Sequence, residues 1–173
     1  MYSKLKLLGH PIHPMLVAFP IALYTSALAG YLVYAWLGDP FWFQLGFVAN
    51  VAGVLAALVT AVPGFLDWWL GIPQETPAKN TGLLHLILNV TALVLFAASA
   101  WLLWSQWTAA APDATWGILL SAVGFILTSA AGYLGFEMIQ RHHVGVDLTP
   151  EQRRLEPTSE QQPRRPTGAY RQV

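Results

Sequence analysis

The segment LLHLILNVTALVLFAASAWLLW, residues 83–104, contains no charged residue and determines the class of fold. A helix of this length is enough to cross a hydrocarbon layer of roughly 30 Å at a rise of about 1.5 Å per residue. Three other segments have the same apolar character, residues 15–37, 42–62 and 117–138. Because short connections favour antiparallel neighbours, the sequence predicts an all-α membrane protein: a four-transmembrane-helix, up-down-up-down bundle.

The overall composition agrees with a protein whose main partner is the lipid bilayer. Hydrophobic residues make up 55% of the chain and charged residues 10%, which lies outside the range of soluble domains. The chain has nine Lys and Arg residues and nine Asp and Glu residues, and no nucleic-acid partner is expected.

The distribution of basic residues predicts the orientation in the membrane. All nine Lys and Arg residues and all five His residues lie on one side of the four spans. The charged residues in the two connections on the other side are Asp39 and Asp113. Since loops rich in Lys and Arg remain cytoplasmic, both termini and the connection 63–82 are expected in the cytoplasm.

The sequence predicts two parts of the chain, a membrane domain and a tail. Residues 1–146 form the membrane domain, and residues 147–173, rich in Pro, Gln, Glu and Arg, form a disordered cytoplasmic tail. A signal peptide ending near Ala29 is an alternative for the first span, because Lys4 and Lys6 precede its apolar run. The apolar run continues to Leu37, however, which favours a retained span.

Small residues recur at four-residue spacing in the second and fourth spans. The stripe in the second span is Ala49, Gly53, Ala57 and Ala61, and the stripe in the fourth is Gly124, Thr128 and Gly132. Small residues let helix backbones approach closely in a membrane, so both stripes predict tight helix packing.

A layer of ionisable side chains is expected at the cytoplasmic ends of the four helices. Its members come from every helix: His10, His13, Asp67, His85, Glu137, Arg141, His142 and His143. His85 stands out because it lies within a span, with Asn89 one turn deeper on the same face. Ionisable residues inside membranes are functional by default.

The first hypothesis is a b-type haem held by this layer. The chain has no Cys, so haem attachment through a C-x-x-C-H motif is excluded, and the ligands would be imidazoles from different helices. His85 pairs with His13 or His142 in this hypothesis, and Arg141 neutralises a haem propionate.

The second hypothesis is a divalent transition metal bound by imidazole and carboxylate ligands. The ligand set is His10, His13, Asp67, His85 and Glu137. Asp67 or Glu137 is also expected to orient His85 through its second ring nitrogen.

The third hypothesis is a cofactor-free structural or accessory subunit whose polar layer joins the helix ends. An enzyme is disfavoured because no Ser, Thr or Cys nucleophile accompanies the His layer. A membrane redox partner or a second copy of the chain remains open as a partner in these hypotheses.

The motifs resemble those of the DUF2231 family of predicted bacterial membrane proteins. The resemblance rests on motifs along the whole membrane region: His10-Pro-Ile-His-Pro, Pro63-Gly-Phe-Leu-Asp67, His85 with Asn89, and Gly132-Tyr-Leu-Gly135 through Arg141-His142 to Val146. It implies a four-helix protein of the bacterial inner membrane. It also suggests redox biology, because some members are fused to Rieske-type or cytochrome domains. The chain departs from the family pattern at Phe136 and His143, where the family often has Gly.

Overall fold

The computed structural model describes residues 3–146 and 149–155 of the chain. Four helices within this part are long and apolar enough to cross a membrane: Ile12–Leu37, Pro40–Gly71, Pro77–Gln106 and Thr115–His142. The predicted four-helix architecture is therefore confirmed, and each predicted span lies inside one of these helices. Large apolar side chains such as Leu55, Val94 and Ile126 point outward from the bundle, as a lipid-facing surface requires.

The elements follow one another with short connections. A small antiparallel hairpin of β1 (Lys6–Leu7) and β2 (His10–Pro11) precedes the membrane helices. The first helix comprises α1 (Ile12–Leu16) and α2 (Ala18–Leu37), and the second is α3 (Pro40–Leu66) with a π-helical continuation, Asp67–Gly71. The third is α4 (Pro77–Leu103) with a 3₁₀ turn, Trp104–Gln106, and the fourth is α5 (Thr115–His142). We call the end formed by the starts of α1 and α4 and the ends of α3 and α5 the histidine end.

The irregularities of the first two long helices lie next to two prolines, Pro20 and Pro63. The break between α1 and α2 is at Val17, directly after Leu16, whose carbonyl would accept from residue 20 in a regular helix. Pro20 has no N–H to donate. Pro63 lies inside α3, and the π-helical segment begins four residues later at Asp67.

An aspartate begins each helix at the end opposite the histidine end. Asp39 Oδ1 accepts a hydrogen bond from the N–H of Phe41 at 3.0 Å, and Asp113 Oδ1 accepts from Thr115 at 2.9 Å. Hydrogen bonds from the side chain and backbone of Thr115 lower the pKa of the exposed Asp113. A negative side chain at this position satisfies free N–H groups and complements the helix dipole. These aspartates therefore start α3 and α5, a role beyond marking topology.

The bundle consists of two tightly packed helical hairpins. In the first, α2 packs mainly on α3; in the second, α4 packs mainly on α5, and contacts between the hairpins are fewer. A Cβ placed on Gly30 of α2 would lie 2.7 Å from the Cα of Gly46 in α3, so the two backbones touch. Between the hairpins, the ring of Tyr24 in α2 stacks on that of Phe96 in α4, with centroids 3.6 Å apart.

The second hairpin keeps one antiparallel register along its length. Gly124 of α5 lies against Phe96 of α4, and Gly117 lies against Leu103. The small-residue stripe predicted in the fourth span is thus partly a packing surface. Gly132, its third member, is exposed and would meet nothing within 4 Å.

The predicted disordered tail, residues 147–173, falls mostly outside the described residues. Within the described part, Pro150–Leu155 forms a short helix, α6. Proline at the first helical position and Glu151 in the first turn both favour a helix start.

Candidate functional site

The structure brings together two histidines from different hairpins at the histidine end. The rings of His13 in α1 and His85 in α4 have centroids 6.3 Å apart and planes at 85°. This is a contact across the interface between the hairpins, where the packing is sparser than within them.

His13 is held against α3 by its own hydrogen bond and by the shape of that helix. Its Nδ1 lies 3.0 Å from the carbonyl oxygen of Thr60. A carbonyl can only accept, so Nδ1 carries a proton and donates it to Thr60. A Cβ on Gly64 would lie 2.6 Å from His13 Nδ1, which means that glycine is needed there for the ring to approach α3.

His85 has hydrogen-bond partners at both ring nitrogens. Its Nδ1 donates to the carbonyl oxygen of Ala131 in α5 at 2.7 Å, and its Nε2 accepts from the Asn89 side-chain amide at 3.1 Å. The same amide bonds the His85 carbonyl at 2.9 Å. On the α5 side the ring packs against Gly135, where a Cβ would be 3.2 Å from Cε1. The neutral tautomer with the proton on Nδ1 is therefore fixed in His85.

Asp67 does not face His85, contrary to the expectation that it orients the ring. Its carboxylate accepts from the Ser3 hydroxyl at 2.7 Å, from the N–H of Lys4 at 2.7 Å and from the N–H of Leu5 at 3.2 Å. Asp67 thus fixes the segment before the β-hairpin to the end of α3. The carbonyl of Ala131 takes the orienting role that was expected of Asp67 or Glu137.

Two other members of the predicted layer also have separate partners. Glu137 forms an ion pair with Arg141 one turn away, and the Arg141 side chain is 72% exposed. His10 is exposed, with Nδ1 3.0 Å from the carbonyl of Leu8. A haem propionate role for Arg141 and a ligand role for His10 therefore gain no support from their positions.

The end of α5 separates His142 and His143 from the histidine pair. His85 lies against Gly135, and His142 is seven residues further, about 10 Å along the helix axis. His143 has a left-handed backbone with φ of 50°, and the N–H of Val144 bonds the Met138 carbonyl. That backbone is the one that glycine adopts most readily, which accounts for the glycine expected here from the family resemblance.

The five residues of the metal hypothesis do not converge. In the parts of the chain that the structure describes, no group of three or more His, Asp or Glu residues is placed to hold a metal ion. Among these five residues of the described chain, the rings of His13 and His85 lie next to each other.

Lys79 is a polar residue at the histidine end that sequence reasoning treated only as a topology signal. It is 6% exposed, and its Nζ donates to the carbonyls of Trp68 at 2.6 Å, Ile72 at 3.3 Å and Trp69 at 3.4 Å. The ammonium also lies 4.2 Å from the centre of the Trp68 ring, in a cation–π contact. The signal in the sequence was a lysine in the first turn of α4, shortly after the carbonyl-rich end of the preceding helix.

Comparison with known families agrees with the motifs. A sequence model of DUF2231, described as a predicted membrane protein, matches residues 9–148. The matched region contains both histidines of the pair and all four long helices. No curated protein and no solved structure shows a match.

Proposed function

Because the chain belongs to the DUF2231 family of predicted membrane proteins, we propose that it is a bacterial inner-membrane protein that binds a b-type haem through His13 and His85. The observation that carries this proposal is the pairing of two imidazoles from different hairpins, each with Nδ1 held by a backbone carbonyl. Ligating histidines characteristically donate their other ring N–H to such a group.

The number of converging ligands favours haem over a bare metal ion. A haem would need only one or two side chains of the protein, since the macrocycle supplies the other ligands to its iron. Mononuclear sites without a macrocycle generally take three or four protein ligands. Two histidines with no third His, Asp or Glu grouped with them in the described residues match the first case.

The two rings lie close to each other at the histidine end. The centroids of His13 and His85 are 6.3 Å apart. A bound b-type haem would supply one-electron redox chemistry, for which a membrane redox partner is then required.

Two local changes are needed before the pair can hold a macrocycle. Asn89 must release His85 Nε2, and it can keep its other bond to the His85 carbonyl. The hairpins must also separate at the histidine end, because the rings of His13 and His85 already contact each other across the interface. The sparser contacts between the hairpins favour such a movement over separation within a hairpin.

The haem proposal predicts an absorption spectrum that depends on two histidines. Protein expressed in haem-supplied cells and purified in detergent should show a Soret band that shifts on dithionite reduction. His13→Ala and His85→Ala should each shift or abolish the Soret band, because one of the two imidazoles that would hold the haem is removed. His10→Ala and His143→Ala should keep it, since neither residue belongs to the pair. A wild-type protein that stays colourless and also fails to bind added hemin would refute the proposal.

A cofactor-free structural or accessory role is the second candidate function. It is favoured by the hydrogen bonds themselves, because His13 ties α1 to α3 and His85 ties α4 to α5 without any ligand. In this case the partner is another membrane protein or a second copy of the chain. Colourless protein in which His85→Ala only lowers the melting midpoint would support this role.

The proposed orientation places the histidine end at the cytoplasmic face. Its support is the Lys and Arg distribution, with every basic residue on one side of the spans. A cytoplasm-active reporter fused after Val173 should be active, and the same reporter inserted beside Asp39 or Asp113 should be silent. A reporter active only outside the cytoplasm should show the opposite pattern. An externally located C-terminus would contradict the orientation.

A further inference from the structure

The interior of the bundle contains a layer of polar side chains in which each long helix takes part. It lies toward the end opposite the histidine end: Tyr31 of α2, Asn50 of α3, Ser99 of α4 and Ser121 of α5 are all 0% exposed. Polar groups buried inside a membrane bundle are costly unless they find partners, because neither water nor lipid headgroups reach them.

The register of the second hairpin places Ser121 at this layer. Gly124 of α5 lies against Phe96 of α4. Ser121 is three residues before Gly124, and Ser99 is three residues after Phe96, so the two serines face each other in the antiparallel pair. Ser121 therefore adjoins the hydrogen-bonded group formed by Asn50, Ser99 and Tyr31.

Two buried polar atoms of this layer have no hydrogen-bond partner among the described residues. The Asn50 amide donates to Ser99 Oγ at 3.0 Å and to the Tyr31 hydroxyl at 3.3 Å. No described residue is a partner to Asn50 Oδ1 or to Ser121 Oγ, although both atoms are fully buried. One is an acceptor only, and the other is a hydroxyl that can donate and accept.

We propose that this layer is a binding site for a water molecule, held between Asn50 Oδ1 and Ser121 Oγ. Water can donate to the amide oxygen and either donate to or accept from the serine, which satisfies both atoms. A cation is disfavoured because the layer contains no carboxylate to compensate a charge in the membrane interior. The water joins α3 of the first hairpin to α5 of the second, adding a polar link where the hairpins contact each other sparsely.

The test measures water contact and stability in the same pair of variants. Rotating-frame NMR on the full chain in perdeuterated detergent should show cross peaks between water and the Asn50 side-chain amide protons. Ser121→Ala should lose these peaks and lower the midpoint of unfolding, because the water loses one of its partners. The Ser99 and Tyr31 hydroxyls persist in this variant, so proton exchange through them does not explain a loss. The matched control is Ser129→Ala on the lipid-facing side of α5, whose hydroxyl bonds its own helix.

Three other outcomes would each contradict the proposed water site. Missing water cross peaks in the wild type would show that no long-lived water binds there. A Ser121→Ala variant with a raised unfolding midpoint would show that its hydroxyl is an unpaired buried group, whose removal relieves a penalty. Cross peaks that persist in Ser121→Ala would place the water away from this residue.

Discussion

Replacing Gly30 by alanine is expected to destabilise the bundle strongly. A Cβ at this position would lie 2.7 Å from Gly46 Cα, 2.8 Å from Gly46 N and 2.9 Å from the carbonyl oxygen of Trp42. All three atoms belong to the backbone of α3, so no side-chain rotation relieves the clash and the helices must move apart. Overpacking of this kind costs about 1–3 kcal/mol, and a backbone clash should lie at the upper end of that range. The measurement is the unfolding midpoint in a detergent titration.

Gly132→Ala is the matched control for this substitution. Gly132 lies on α5 with nothing within 4 Å of an added Cβ, so the same chemical change meets no neighbour. Alanine has a higher helix propensity than glycine by roughly 1 kcal/mol, and the variant should be unchanged or slightly more stable. Equal effects of the two substitutions would mean that α2 and α3 do not touch at Gly30.

Substituting Lys79 by methionine is the second change for which a large loss is expected. The buried ammonium donates to three carbonyls at the end of the second long helix. Methionine fills a similar volume but donates nothing. The free energy of unfolding should fall by at least about 2 kcal/mol, since each buried carbonyl left unpaired costs roughly 1–3 kcal/mol. The loss should appear as a lower thermal midpoint and as faster amide exchange in the segment Asp67–Gly71.

Lys4→Met distinguishes this role from a general effect of charge. Lys4 is exposed, and its hydrogen bond to Asp67 comes from its backbone N–H, which the substitution keeps. Its loss should leave the thermal midpoint almost unchanged. If both substitutions lowered the midpoint alike, the contribution of Lys79 would be electrostatic and not the pairing of carbonyls.

The four helices could be predicted from sequence because their cause is local. A run of apolar residues in lipid must satisfy its backbone hydrogen bonds internally, and a helix does so whatever surrounds it. His85 could also be singled out from the sequence, since an ionisable side chain inside residues 83–104 is unusual in any membrane helix. Predicting which partner His85 would meet required more than composition.

The contacts within the layer expected at the histidine end could not be predicted from the sequence. Residues at a similar depth on four helices can point in different directions, and depth alone was used to group them. In the structure, Asp67 turns to the segment before the β-hairpin and Glu137 to Arg141, while His13 and His85 face each other. The facing direction of each side chain depends on helix rotation, which packing contacts between distant residues determine.

The sequence by itself determined the number of helices, the apolar segment at the centre of each and the segregation of basic residues, because these can be read from single segments and their transfer to lipid. Only the tertiary structure decided the pairing of His13 with His85, the capping of the second long helix by Lys79 and the polar layer around Asn50. Each of these joins residues that are distant in sequence or lie across a loop. Their contacts follow from close approach at positions such as Gly30 and Gly64, where the absence of a side chain sets how near two elements can come.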